Sequence, residues 1–176
     1  MRLLELFSGT GSVGKLARDK GYSVISLDWK DADINSDILE WNYKDYEVGY
    51  FDFIWASPPC TEFSIAKTTG TRKIDEANKI VLKTLEIIKY LKPKYFVIEN
   101  HQTGLLKRQL FMNEFKYNDV DYCKYGMPYR KRTRLWNNLD NFKPKELCKK
   151  DCGNVRDGKH VATAQRMPNG NKKRLG

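Results

Sequence analysis

The chain has 176 residues, 40% of them hydrophobic and 31% charged, which suits one globular domain with an appendage and is too short for two well-built cores. No stretch approaches the ~20 apolar residues of a membrane span, and Met1-Arg2-Leu3-Leu4-Glu5-Leu6-Phe7 runs into a strand-like segment without a secretory cleavage site, so a soluble protein that stays inside the cell is expected. The net charge is +10 and wholly C-terminal: residues 130–176 hold 14 Lys/Arg against 4 Asp/Glu, whereas residues 1–129 hold 18 of each. A neutral body with a basic end suits a polyanionic partner, because Lys and Arg neutralise phosphates and release counterions. The plainer alternative is a tail that keeps the protein in solution.

The first hundred residues alternate short apolar runs with helical patterns, as a parallel sheet wrapped by helices requires. Residues 3–7 read as a strand. Ser8-Gly9-Thr10-Gly11-Ser12 reads as a turn, with Ser12 capping a helix that runs to about Lys20, where Gly21 stops it. Residues 22–27 form a second strand ending at Asp28. Residues 51–56 form a buried strand that the prolines of Ser57-Pro58-Pro59-Cys60 must end. Ile74, Ala77, Val81, Leu85 and Ile88 recur at steps of three and four, giving an amphipathic helix that ends before Pro93. Residues 95–98 are the next strand and deliver Glu99-Asn100. Residues 120–123 and 134–136 are two further strands, with a Gly126-Met127-Pro128 turn nearby. From Phe142 onward little resembles a packed element, and residues 168–174 are expected to be mobile.

Two constellations carry chemistry. In the first, the glycine turn is followed by Asp28: glycines let backbone approach a ligand closely, and an acid at the end of the next strand accepts hydrogen bonds from ribose hydroxyls. Trp29 adds a stacking surface, and Asp37 an acceptor for an adenine amino group. Ser12-Val13-Gly14 does not seat a third glycine for a pyrophosphate, so a nucleoside cofactor without a phosphate is favoured. In the second, Cys60 sits on a rigid proline loop at a strand's carboxyl end, where such sheets bind ligands, and cysteine is the best side-chain nucleophile. Glu99 leaves the neighbouring strand as a carboxylate able to hold or protonate a ring nitrogen.

In order and spacing, Phe7-Ser8-Gly9-Thr10-Gly11, Ser57-Pro58-Pro59-Cys60 with Phe63-Ser64, Glu99-Asn100, and Tyr125-Gly126-Met127-Pro128 before an Arg cluster resemble the motifs of the DNA (cytosine-5) methyltransferases, over residues 3 to about 136. The resemblance implies an α/β, Rossmann-like S-adenosylmethionine-dependent methyltransferase fold, a mostly parallel sheet with helices on both faces. It implies methyl transfer to carbon 5 of cytosine, with Cys60 adding to carbon 6 and Glu99 engaging ring nitrogen 3. Phe7, Gly9, Gly11, Asp28, Trp29 and Asp37 would form the S-adenosyl-L-methionine pocket. The family usually carries Gln-x-Arg-x-Arg after its Gly-Val-Pro turn, and Tyr129-Arg130-Lys131-Arg132-Thr133-Arg134 fits that pattern in two registers. With one inserted residue Arg132 and Arg134 take the arginine positions; without it, Lys131 and Thr133 do. The first is preferred, since Leu135-Trp136 then opens the following strand and a guanidinium grips carboxylate and base together.

The chain divides on this reading into a catalytic domain, residues 1–141, and a basic extension, residues 142–176. The family's target-recognition region and final cofactor motif are not identifiable in residues 137–176, which points to low sequence specificity, a partner subunit supplying recognition, or an unpaired substrate. DNA is the expected acceptor; the alternatives are a transfer-RNA-like substrate, or a non-catalytic nucleic-acid-binding partner of an active methyltransferase. No metal is assigned to the active site. Cys148, Cys152 and His160 invite a zinc reading, with Cys123 or His101 as a possible fourth donor, but the spacing matches no standard finger; the alternative is that they pack or cap the extension.

Overall fold

The computed structural model describes residues 1–163; the expectation for residues 168–174 lies outside them. Seven strands form one sheet: β1 (Arg2–Leu6), β2 (Ser23–Asp28), β3 (Ile34–Asn35), β4 (Phe53–Ala56), β5 (Tyr95–His101), β6 (Tyr117–Asp121) and β7 (Arg132–Asn137), in the order β3-β2-β1-β4-β5-β7-β6. All pairings are parallel except those of β7, which runs antiparallel to β5 and β6. The order reverses direction at β1, so the loops after β1, β2, β4 and β5 leave at one carboxyl edge on either side of a switch point, where open α/β sheets bind ligands.

Helices α1 (Ser12–Asp19) and α2 (Ile74–Leu91) cover opposite faces, because successive strand side chains alternate. Leu4, Leu6, Ile54, Ala56 and Ile98 face α2, meeting Ala77, Val81, Ile87, Ile88 and Leu91 in the main core. On the other face Glu5 Oε2 accepts the Gly14 N–H of α1 at 2.9 Å. At the far end of that face no helix is needed: Val97, Val120 and Leu135 are covered by Leu139 and Phe142.

Several boundaries differ from expectation for local reasons. Gly11, not Ser12, is the N-cap of α1, with φ +67 and ψ 29, a left-handed geometry that glycine adopts without penalty; Ser12 is the first helical residue. Strand β5 extends through His101, so Glu99 and Asn100 belong to the ladder and are aimed by its pleat. Cys123 lies past β6, in a 3-10 turn over Tyr122–Tyr125. Beyond Phe142 a short hairpin forms: β8 (Val155–Arg156) and β9 (Lys159–His160) pair antiparallel around Asp157 and Gly158, both at positive φ, the backbone that a two-residue Asp-Gly hairpin turn requires.

Glu5 is buried, and desolvation raises its pKa above the usual 4.5 despite the Gly14 and Val13 N–H groups that favour the carboxylate. A carboxyl whose folded pKa is raised contributes stability that is present below the unfolded value and is lost as pH rises through the folded value. Urea unfolding of Glu5→Gln, whose amide oxygen still accepts from Gly14, should therefore show no loss at neutral pH and a flatter pH dependence above about 4.5. A large loss at pH 7 would mean that the ionised carboxylate itself holds α1.

Candidate active site

The turn after β1 is shaped by backbone conformation. Phe7, Gly9 and Gly11 all take positive φ, 59, 51 and 67, and at Phe7, which has a side chain, that conformation is uncommon and tends to mark functional turns. Asp28 ties the turn to the end of β2, accepting Gly9 N–H on Oδ2 and Trp29 N–H on Oδ1, both at 2.7 Å. Trp29 is 70% exposed, its ring presented to solvent. Asp37 accepts Leu39 N–H at 2.9 Å and sits in a turn that Glu40 and Trp41 close onto its carbonyl. A solvent-open groove beside the turn is walled by Gly9 and Gly11 with Lys15, Arg18 and Asp33. It lies on the α1 side and does not include Phe7, Asp28, Trp29 or Asp37.

The proline loop is held from both sides. Asn100, almost wholly buried, donates from Nδ2 to Pro58 O at 3.0 Å, and Trp55 Nε1 donates to Ser57 Oγ at 2.9 Å. Beyond Cys60, Phe63 is fully buried and its carbonyl accepts Leu105 N–H at 2.8 Å, while Arg72 donates to the carbonyls of Glu62, Ser64 and Lys67. Cys60 is thus an exposed residue between two fixed points. Its thiol is nevertheless crowded: burial pushes its pKa up, Lys131 pulls it down, and Glu99 adds to the rise.

Glu99 meets Lys131, whose Nζ donates to Oε1 at 3.0 Å. Arg132 and Arg134 pair elsewhere, so the contact at Glu99 is the one that the other register of the basic segment offers, with Lys131 in an arginine position. The cause is strand parity: Glu99 pairs with Leu135 and Asn100 with Arg134, so Leu135, Thr133 and Lys131 share the Glu99 face while Arg132 and Arg134 point to the other. There they meet β6. Arg134 grips Asp119 at 2.7 and 2.9 Å and stacks over Tyr117, and Arg132 lies 3.5 Å from Asp121, which also pairs with Arg130 at 3.1 Å. Lys131 also lies over the Tyr122 ring. Alternation counted back from Leu135 singles out Lys131. Asn100, quoted in the sequence motif without a role, is the residue that fastens the loop.

Of the remaining candidates, Cys148, Cys152 and His160 come together, and Cys123, not His101, is the fourth residue of the group. His101 lies near Glu99 and Lys131, where burial, and then Lys131, lower its pKa.

A mostly parallel sheet with an antiparallel β7, a glycine turn after β1 and a cysteine loop after β4 is the architecture of a Rossmann-like methyltransferase. Residues 1–129 match the family described as C-5 cytosine-specific DNA methylase. The chain is 42% identical over 171 residues to a Frog virus 3 (isolate Goorha) protein named "Probable DNA (cytosine-5)-methyltransferase", covering 88% of this chain and 79% of that one. It is 30% identical over 105 residues to the Type II methyltransferase M1.HgaI of Avibacterium volantium, covering 48% of this chain and 29% of that one. The Entamoeba histolytica methyltransferase EhMeth shares the fold, with a TM-score of 0.61 at 20% identity over 84% of this chain and 56% of that one. The chain belongs to the C-5 cytosine-specific DNA methylase family. It spans most of the viral relative, but only 29% of the bacterial protein and 56% of the amoebal one.

Lys131→Met removes the cation that lowers the Cys60 pKa and leaves burial and Glu99, which raise it. The pH profile of Cys60 alkylation, followed on its own peptide by mass spectrometry, should move to higher pH in the variant. An unchanged profile would place the Lys131 charge outside the reach of the thiol.

Proposed function

We propose that this chain transfers the methyl group of S-adenosylmethionine to carbon 5 of cytosine in DNA through a covalent Cys60 adduct. The observation that carries the reading is the Glu99–Lys131 pair at the carboxyl edge of β5, near enough to Cys60 on the loop after β4 to act on its thiol. The donor fits the residues at the glycine turn after β1. A Cβ built on Gly9 meets nothing within 4 Å, so there is open space over the backbone. Asp28 keeps acceptor capacity beyond its two backbone bonds, since a carboxylate offers about four lone-pair sites. Phe7 and Trp29 offer apolar and aromatic surface, and Asp37 an acceptor for the adenine amino group. When bound, S-adenosylmethionine supplies an electrophilic methyl group.

The chain's own residues prepare the base. The Cys60 thiolate forms a bond to carbon 6, which breaks the 5,6 double bond and makes carbon 5 nucleophilic. Glu99 holds ring nitrogen 3, and Lys131 keeps that carboxylate oriented and favours the thiolate. Once carbon 5 is methylated, its proton passes to a solvent base, the carbon 6–sulfur bond breaks to release the Cys60 thiolate, and the 5,6 double bond re-forms. Asn100, through the Pro58 carbonyl, positions Cys60 and does not touch the base. Arg134, occupied by Asp119, serves the sheet, and Arg132 lies beside Asp121 on the same face. A cytosine inside a duplex must leave the stack to reach Cys60, at a cost of roughly a few kcal/mol, and the basic residues beyond 142 would hold the backbone meanwhile.

The test is incubation with methyl-labelled S-adenosylmethionine and DNA or transfer RNA, followed by digestion and identification of the labelled nucleoside. Labelled 5-methylcytosine from DNA is expected; label only in RNA would reassign the substrate, and transfer to neither would favour a chain that acts with a partner subunit or only binds. Cys60→Ser should abolish transfer while cofactor binding stays near normal. Glu99→Gln should lower kcat by roughly 10²–10⁴-fold, the scale of a lost acid–base group.

A further inference from the structure

The side chains of Cys123, Cys148, Cys152 and His160 bring three sulfurs and one ring nitrogen within 4.8 Å of one another, away from the methyl-transfer site and unused by it. We propose that these four residues bind one zinc ion, a Cys3His site that fastens the C-terminal segment to the turn after β6.

The two sulfur-to-nitrogen separations at His160 match those of a filled tetrahedron, and all the donor atoms lie within 4.8 Å of one another. With zinc–sulfur bonds of about 2.3 Å and zinc–nitrogen bonds of about 2.0–2.1 Å, tetrahedral angles put neighbouring donor atoms about 3.5–3.8 Å apart. His160 Nε2 lies 3.5 Å from Cys148 Sγ and 3.4 Å from Cys152 Sγ. All three cysteines are free thiols, and Cys123 and Cys148 are buried. Soft thiolates with one imidazole select zinc over the hard cations, which prefer oxygen.

The surroundings are built for the same purpose. Cys148 and Cys152 are separated by Lys149-Lys150-Asp151, and the segment is folded back by Lys150 at φ 73 and Gly153 at φ 78. This brings the Lys150 N–H to 3.3 Å from Cys148 Sγ, the kind of outer bond that orients a ligating sulfur. The β8–β9 hairpin returns His160 to the cluster: it has four residues in pairing and little core of its own. Acids on either side of the cluster are themselves paired: Lys124 donates to Asp151 at 2.8 Å, and Asp121, which accepts the Cys148 N–H, meets Arg130 at 3.1 Å. Cys123 is separated by 25 positions from Cys148, so the ion closes a loop containing Lys131, β7 and the Leu139 and Phe142 cover, and stands in for the core that residues 142–163 lack.

The test uses the full chain purified under reducing conditions without chelator. Elemental analysis should find one zinc per chain, released when the thiols are modified. Replacement by cobalt should give the visible bands of tetrahedral cobalt and a sulfur-to-cobalt charge-transfer band. Cys148→Ser and Cys152→Ser should lose the stoichiometric metal. Because loss of a ligand can also unfold the segment, His160→Cys provides the second arm: it should keep the ion and shift the cobalt bands as nitrogen gives way to sulfur. Absence of stoichiometric metal together with no cobalt spectrum in the reduced wild-type chain, stoichiometric iron in place of zinc, or a His160→Cys spectrum identical to wild type would each overturn the assignment.

Discussion

The site depends on the register of the ladder β4–β5–β7. Ala56 lies beside Ile98, and Glu99 beside Leu135, so the pleat sends Glu99 to one face and Asn100 to the other. A slip of one residue would exchange them, putting the amide where the carboxylate meets Lys131 and the carboxylate against the Pro58 carbonyl, where two acceptors would repel. The register is held by packing on both sides: Ile98 and Trp136 enter the main core while Val97 and Leu135 enter the smaller one. Hydrophobic alternation over a few residues thus decides which polar group faces the thiol.

At the thiol, opposing influences meet. Burial disfavours the charged form, Glu99 adds repulsion, and Lys131 is the counterweight. Lysine is a point charge on a flexible stem, whereas a guanidinium would fix two bonds in a plane. Lys131 is steadied instead by the Tyr122 ring and the Glu99 carboxylate. Arg134 is fixed in that second way by Asp119, with two bonds to one carboxylate.

Local signals in the sequence carry the first hundred residues well. The glycine turn, Asp28, the proline loop and the helix over Ile74 to Ile88 are set by φ preferences, prolines and 3.6-residue periodicity, all readable within a dozen positions. The features that differ from expectation turn on fine backbone preference, on strand parity or on distant partners. Ser12 has good capping chemistry, but Gly11 alone suits the left-handed position. Chemical type favours the arginines of residues 130–134 as partners of Glu99, while strand alternation decides their faces. The hairpin at residues 155–160 leaves only Asp157-Gly158 as its turn signal, because its strands have two residues each and no hydrophobic pattern. Cys123 and His101 are equal candidates for the fourth donor in the sequence, and only the path of β6 and the turn after it brings Cys123 to Cys148.

The charge distribution acquires a different meaning once pairs are counted. The excess of +10 begins at residue 130, yet Arg130, Lys131, Arg132 and Arg134 all face acids of the preceding body, Asp121, Glu99 and Asp119. These cations neutralise the site and the sheet before any phosphate arrives. The rest of the excess lies beyond residue 142, where ten Lys/Arg stand against three Asp/Glu. Asp121 links the two regions, accepting both the Arg130 guanidinium and the Cys148 N–H, and Tyr122, which steadies Lys131, is the neighbour of Cys123. Two short paths of contact therefore join the cluster to the Lys131–Glu99 pair, one through Asp121 and Arg130 and one through Tyr122.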